Sequence, residues 1–431
     1  MKVYHRESIE STKDYSSHLP VEELTLSDLQ QAVKGRFSSF CMAVGIKSLL
    51  TLMDQDVEAM AGPKGKHDPN RKAYRHGFQD TTVPMGNQRL AVKRPRVRSV
   101  ETGGELPIPS YEAFASDDDL LEAALNRMLH GLSTRDYRNG IEDYSDIAET
   151  SGTSKSTISQ RFIKASAKEA QKVLGRRFDK EVIPVLMIDG IVLGDYTAIV
   201  VMGITKDGHK IIMGVRIGST ENAQVCRDLL TDLVDRGLEY EQGLLAAIDG
   251  SKALRKALKD VFGQQVIIQR CQVHKTRNVM DYLPKHKRDW VKRVMRKAWS
   301  SETAEEAIRE LDSLAIGLET QYPDAASSLR EGLEETVTIL RLNIPGLLRR
   351  GLRSTNTIES AFSVVAKGIR NVKNWKNGTM VRRWVCVALL DAENRTNRIA
   401  GYRSMGVLIS EIQRLTNVDE EDQVANERKT A

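Results

Sequence analysis

The feature that most constrains this chain is a change of rhythm at residue 182. Residues 182–193, 196–205 and 209–217 are three β-branched runs separated by Gly-Asp and Lys-Asp-Gly, the pattern of an antiparallel meander. Helical periodicity follows over 222–236, where Val225, Leu229, Leu230 and Leu233 share a face. A buried strand over 244–249, a helix over 251–262 and a strand over 265–269 complete the series. The first strand and the strand over 244–249 carry the same signature, Ile188-Asp189-Gly190 and Ile248-Asp249-Gly250.

Three antiparallel strands followed by alternating helix and strand predict an α/β sheet of the ribonuclease-H-like kind. Residues 276–345 are helical in pattern and read as an all-helical insertion. The α/β unit then finishes in a helix from Asn356, with Ile358, Ala361, Phe362, Val365 and Ile369 on its apolar stripe. The expected core therefore spans 176–275 and 346–402, with 403–431 as a C-terminal tail that frays beyond Asn417.

A carboxylate where a buried strand emerges beside a glycine can face a ligand while backbone approaches closely. Two on neighbouring strands repel each other unless cations sit between them. Asp189 and Asp249 meet that description, and Glu359, beside Ile358 at the edge of the final helix's apolar face, supplies a third oxygen ligand. Such a set suits Mg2+, two ions per site with Mn2+ able to substitute, for in-line displacement at phosphate. Each residue also has a plainer explanation. Asp-Gly after a strand is a common turn, and Asn356 with Glu359 is spaced as a helix-capping pair.

Of 431 residues, 40% are hydrophobic and 28% charged, the composition of a core-forming chain of several units. No unbroken apolar run reaches the length of a membrane span, and the polar start lacks a signal-peptide core. A cytoplasmic, nucleoid-associated protein without a membrane partner is expected. Cys41, Cys226, Cys271 and Cys386 form no C-x-x-C pair, which argues against a disulfide framework or a complete zinc cage. Cys271 and His274, at i and i+3, follow the last core strand and are expected to support the active site without closing a zinc site.

The net charge of +6 is unevenly spread. Basic clusters at 89–98, 285–297 and 341–383 can meet a phosphate backbone, although solvated helix faces look the same. Residues 1–60 read as helical, and the extended runs 71–79 and 88–100 as a basic β element of an N-terminal region spanning 1–115. A helix opens at Ser116. The intervals between Ala148, Gly152 and Ile158 predict a helix-turn-helix within 116–175, its second helix offering Lys155, Gln160 and Arg161 to DNA. Around Trp290, the residues Lys285, Arg288, Lys292 and Arg293 form a second candidate DNA face.

The chain resembles the Mutator-type transposases of bacterial insertion sequences, from about Tyr74 to Tyr402. The resemblance is carried by Tyr74-Arg-His-Gly, Val97-Arg-Ser-Val, Gly131-Leu-Ser-Thr-Arg-Asp, Ser154-Lys-Ser-Thr-Ile-Ser, the two Ile-Asp-Gly units, Cys271-Gln-Val-His-Lys-Thr-Arg-Asn, Thr355-Asn-Thr-Ile-Glu-Ser and Arg370-x-x-x-x-Trp375 with Arg383-Trp384. It implies that Asp189, Asp249 and Glu359 form an acidic triad and that a helical insertion precedes the Glu. It further implies a dimer or higher assembly on DNA, joining terminal inverted repeats to target DNA. The tyrosine-containing stretch 136–144 departs from that pattern. A regulator that has lost catalysis, or a nuclease of the same fold, remains the alternative.

Overall fold

The computed structural model describes residues 37–416 apart from His67 and 219–221. The expectations for residues 1–36 and 417–431 lie outside the described residues. The chain divides into two compact units between Ala165 and Ser166.

The N-terminal unit is built on helix α1 (Phe37–Ala61) and a long hairpin of β1 (Ala73–Met85) and β2 (Gln88–Ser99). The hairpin extends well past the expected end at residue 79, because Gly86 and Asn87 both take positive φ and close a tight two-residue turn. Leu49, Met53 and Val57 of α1 pack with Val83, Val92 and Val97 of the hairpin in one apolar cluster. By length and composition alone α1 would pass for a membrane span, yet this face is part of a protein core. Strand β3 (Glu105–Leu106) and helices α2 (Pro109–Phe114) and α3 (Asp118–Leu129) follow.

The helix-turn-helix read from Ala148, Gly152 and Ile158 does not form as expected. Ala148 lies in an irregular stretch after the buried Tyr144, and Thr150–Ser151 forms β4, which pairs with β2. The backbone N–H of Ala91 donates to the Glu149 carbonyl and draws this segment onto the hairpin. The first helix is replaced by a strand, and only the second, α4 (Lys155–Leu174), is present. Tyr137 and Tyr144, in the stretch that departs from the family pattern, are core residues of this unit.

In the C-terminal unit, β5 (Val185–Leu193), β6 (Tyr196–Ile204) and β7 (Lys210–Gly218) form the meander, and β8 (Leu244–Ile248) and β9 (Val266–Arg270) extend it. The sheet order is β7-β6-β5-β8-β9, antiparallel up to β5 and parallel beyond. Helices α5 (Ala223–Asp235) and α6 (Lys252–Phe262) bury Leu229, Leu233, Leu254 and Leu258 against Leu186, Ile188, Ala246 and Ile248.

Residues 272–352 are helical: α7 (Gln272–Asp281), α8 (Lys285–Ala298), α9 (Ala304–Glu319), α10 (Pro323–Arg330), α11 (Leu333–Thr336), α12 (Thr338–Arg341) and α13 (Gly346–Leu352). Buried polar side chains tie these helices to β9 and to one another. Gln269 accepts from the Ile339 N–H at 2.7 Å and donates to the Thr336 carbonyl at 3.0 Å, while Lys275 Nζ donates to the Ser328 carbonyl at 2.6 Å. The chain closes with α14 (Asn356–Ile369), which packs on β5, and α15 (Gly378–Arg395), which packs on β6 and β7. Residues 405–416 are not a loose tail. They form a helix that buries Met405, Leu408 and Ile412, a stripe at i, i+3 and i+7.

Candidate active site

Side chains alternate across a strand, so Leu186 and Ile188 face the helices α5 and α6 while Val185, Met187 and Asp189 face the opposite side. The same parity places Leu245, Ala247 and Asp249 on that second side. Ile188 is directly opposite Ile248 in the parallel pair β5–β8. Asp189 and Asp249 are each the next residue, where β8 stops and β5 continues along β6 alone. The third carboxylate, Glu359, stands in the first turn of α14, on the helix that covers this face of β5.

Asp189 is 7% exposed. Burial pushes its carboxyl from an ordinary 3.8 up to about 6, and the nearby charges of Asp249 and Glu359 push the same way. The Gly190 N–H, donating to Asp189 Oδ1 at 2.8 Å, and His274 pull in the other direction. Asp249 Oδ1 accepts from the Ser251 N–H at 2.9 Å, and the Ser251 side chain caps α6. Between them Gly250 takes φ +112°, and a Cβ there would collide with the Arg270 guanidinium, so the turn that presents Asp249 demands glycine.

Glu359 is not the partner in a capping box. The N-cap is Thr355, one residue earlier than expected, and no side chain caps the helix. The Glu359 carboxylate is turned instead toward α7. Its Oε1 lies 3.2 Å from Thr355 Oγ1 and 3.9 Å from His274 Nε2, and its Oε2 lies 3.8 Å from Arg277. Cys271 is the N-cap of α7, as expected for a pair that opens the helix after β9. Its sulfur accepts from the backbone N–H of His274 at 3.5 Å and of Thr355 at 3.4 Å. Burial pushes the Cys271 thiol up, but hydrogen bonds from His274 and Thr355 outweigh it and bring it below its usual value. The neighbouring Cys271 raises His274. Cys271, His274 and Glu359 offer ligand atoms within 4.8 Å of one another, a third ligand that sequence spacing could not supply to the Cys/His pair.

The residues assigned to DNA divide. Lys155 and Gln160 are exposed on α4, but Arg161 is only 7% exposed and donates to the Gly152 carbonyl at 2.7 Å. It lies on the stripe of Ile158, Phe162 and Ala165 and holds the turn before the helix, so the expectation that it faces DNA is corrected. On α8, Val291 and Met295 pack inward and Lys285 and Arg293 are exposed, with Lys292 half-buried. Trp290 is 46% exposed. Arg288 donates to the Leu283 carbonyl at 2.9 Å, and Lys297 pairs with Glu310 at 3.1 Å.

Residues 26–398 match the model of the transposase family described as Mutator. The chain is 28% identical over 331 residues to the transposase for insertion sequence element ISRM5 of Rhizobium meliloti (strain 1021), covering 73% of this chain and 79% of that one. It is 25% identical over 382 residues to the transposase for insertion sequence element IS256 in transposon Tn4001 of Staphylococcus aureus, covering 85% and 92%. A shorter match, 32% over 179 residues, is to the transposase for insertion sequence element IST2 of Acidithiobacillus ferrooxidans, covering 41% and 58%. With most of its length matched, the chain belongs to the Mutator family of transposases, enzymes that cut and join DNA.

Proposed function

We propose that this chain is an acidic-triad transposase with a ribonuclease-H-like core, in which Asp189, Asp249 and Glu359 are the catalytic carboxylates. The observation that carries this reading is the convergence of three elements. Ile188 on β5 pairs with Ile248 on β8, so Asp189 and Asp249 follow side by side, and α14, which packs on β5, carries Glu359 in its first turn. The sheet order, with the meander at one edge and two parallel strands beyond, supports the core assignment.

The donor set fits a hard divalent cation. It is made of carboxylate oxygens, and a buried aspartate raised to about 6 is one whose ionised form gains from a nearby positive charge. Asp189, Asp249 and Glu359 would hold Mg2+, or Mn2+ in its place, which when bound would activate the attacking oxygen and stabilise the leaving one. The protein's part is positional. Strand β5 fixes Asp189, the Gly250 turn and the Ser251 N–H fix Asp249, and α14 brings Glu359 over the same face. Hydrolysis would free a 3′-OH at the element's end, and transfer of that end to target DNA would use the same three carboxylates without a covalent protein intermediate.

The N-terminal unit, with Lys155 and Gln160 at the start of α4, would recognise terminal inverted repeats, and a dimer or larger assembly would bring two ends together. The test is a strand-transfer reaction with labelled candidate ends, target DNA and Mg2+. Joined product and free 3′-OH ends support the reading; end binding without cleavage would identify a DNA-binding regulator instead.

A further inference from the structure

Thr355 is fully buried, and its backbone and side chain join both halves of the site. Its N–H donates to Cys271 Sγ at 3.4 Å, so the sulfur that caps α7 also fixes the residue at the N-cap position of α14. Its hydroxyl oxygen lies 3.2 Å from Glu359 Oε1, 3.3 Å from His274 Nδ1 and 3.5 Å from Cys271 Sγ. A hydroxyl has one proton to donate and two lone pairs to accept with. The carboxylate is the nearest acceptor and the strongest, so the proton goes to Glu359. The oxygen then accepts from His274 Nδ1–H. On the other side of the ring, the Arg277 guanidinium lies 3.4 Å from His274 Nε2.

We propose that Thr355 is a positioning residue, whose hydroxyl relays a hydrogen bond from His274 Nδ1 to Glu359 and thereby fixes the carboxylate's rotamer and the orientation of the imidazole. The inference rests on the reading of Glu359 as a catalytic carboxylate. It gives the Cys-x-x-His element a physical role, in which Cys271 holds Thr355 and Thr355 aims both His274 and Glu359. Groups that orient a metal-binding carboxylate in this way typically change metal affinity or activity by about 10–100-fold when lost.

The test compares Thr355→Ser with Thr355→Ala in the full chain. Both lose the methyl group, and only serine keeps the hydroxyl. Cleavage of a labelled end is followed across a Mg2+ titration, with Glu359→Gln in parallel. Thr355→Ser should stay within about 3-fold of the parent. Thr355→Ala should fall about 10–100-fold, need about tenfold more Mg2+ for half-maximal rate, and bind Mn2+ about tenfold more weakly by calorimetry without DNA. If the alanine chain does not fold, Thr355→Val, which keeps the branched shape without the hydroxyl, takes its place. Equal rates and equal Mg2+ dependence in the variants with and without the hydroxyl would overturn the proposal while Glu359→Gln stays inactive. Wild-type cleavage by Glu359→Gln would instead overturn the active-site reading beneath it.

Discussion

Ile188 and Ile248 face each other across the parallel strands β5 and β8, and the residue after each is an aspartate. One pairing thus sets the position of two carboxylates. The register that buries both isoleucines against α5 and α6 turns both aspartates to the other side, where α14 carries Glu359. A one-residue slip of either strand would turn its own aspartate into the apolar core.

The raised carboxyl of Asp189 has a consequence for stability in metal-free protein. Its folded value, about 6, lies above the ordinary 3.8, so the folded state holds the proton more tightly than the unfolded state does. The stability this contributes is fully present below pH 4 and is lost as pH rises through 6. Asp189→Asn does not titrate. In EDTA its stability relative to the parent should improve between pH 4.5 and 7.5, by about 2–3 kcal/mol at most. Urea unfolding across this range measures it, and a difference that does not change with pH would contradict the assignment.

Lys155 and Arg161 should separate cleanly. Lys155→Ala should reduce the slope of log affinity against log salt for a terminal-repeat duplex by about 1, with little change in folding. Arg161→Ala removes the donor to the Gly152 carbonyl and should destabilise the N-terminal unit by about 1–3 kcal/mol. Thermal unfolding and salt titration of both variants decide it. A stable Arg161→Ala protein with a reduced salt slope would return Arg161 to the DNA face.

Reversing Lys285, Lys292 and Arg293 to Glu should weaken complex formation and flatten its salt dependence, since α8 keeps its packed face of Val291 and Met295. Arg288 is left out because its guanidinium is held by the Leu283 carbonyl. An unchanged slope would place α8 away from nucleic acid.

Much of the core was legible because strands and amphipathic helices announce themselves by period, and Ile-Asp-Gly recurs on two neighbouring strands, ending β8 and lying within β5. The misreadings have specific causes. Thr355 and Asn356 are adjacent residues that both make good N-caps, so spacing alone could not choose between them. Ala148, Gly152 and Ile158 carry intervals that a strand and turn satisfy as well as a helix, and pairing with β2 decided the matter. Arg161 was legible in principle, because it lies three residues from Ile158 and four from Ala165 on a buried stripe. The Thr355 network was not, since its partners are brought together only when α7 and α14 start side by side.

Cys271 and His274 should differ in what their loss does. His274→Ala removes a ring that meets Thr355 and faces Glu359, whereas Cys271→Ala removes a buried acceptor of two N–H groups. Strand transfer should fall further for His274→Ala, and Cys271→Ala should chiefly lower the melting temperature. Purified protein should hold no stoichiometric structural zinc, because the cluster with Glu359 offers three ligands among the described residues where a structural zinc takes four. One zinc per chain by elemental analysis, lost together with folding in both variants, would reverse this account.

The most direct test of the triad measures cleavage and binding in the same preparations of Asp189→Asn, Asp249→Asn and Glu359→Gln. Each substitution removes a charge and nearly preserves shape, so end binding by gel shift without Mg2+ should stay near the parent. Release of a 3′-OH from a labelled terminal-repeat duplex in Mg2+ should fall below about one thousandth of the parent rate in all three, a loss of about 4 kcal/mol in barrier stabilisation. Cleavage close to the parent rate in any one variant would remove that residue from the catalytic set and contradict the account.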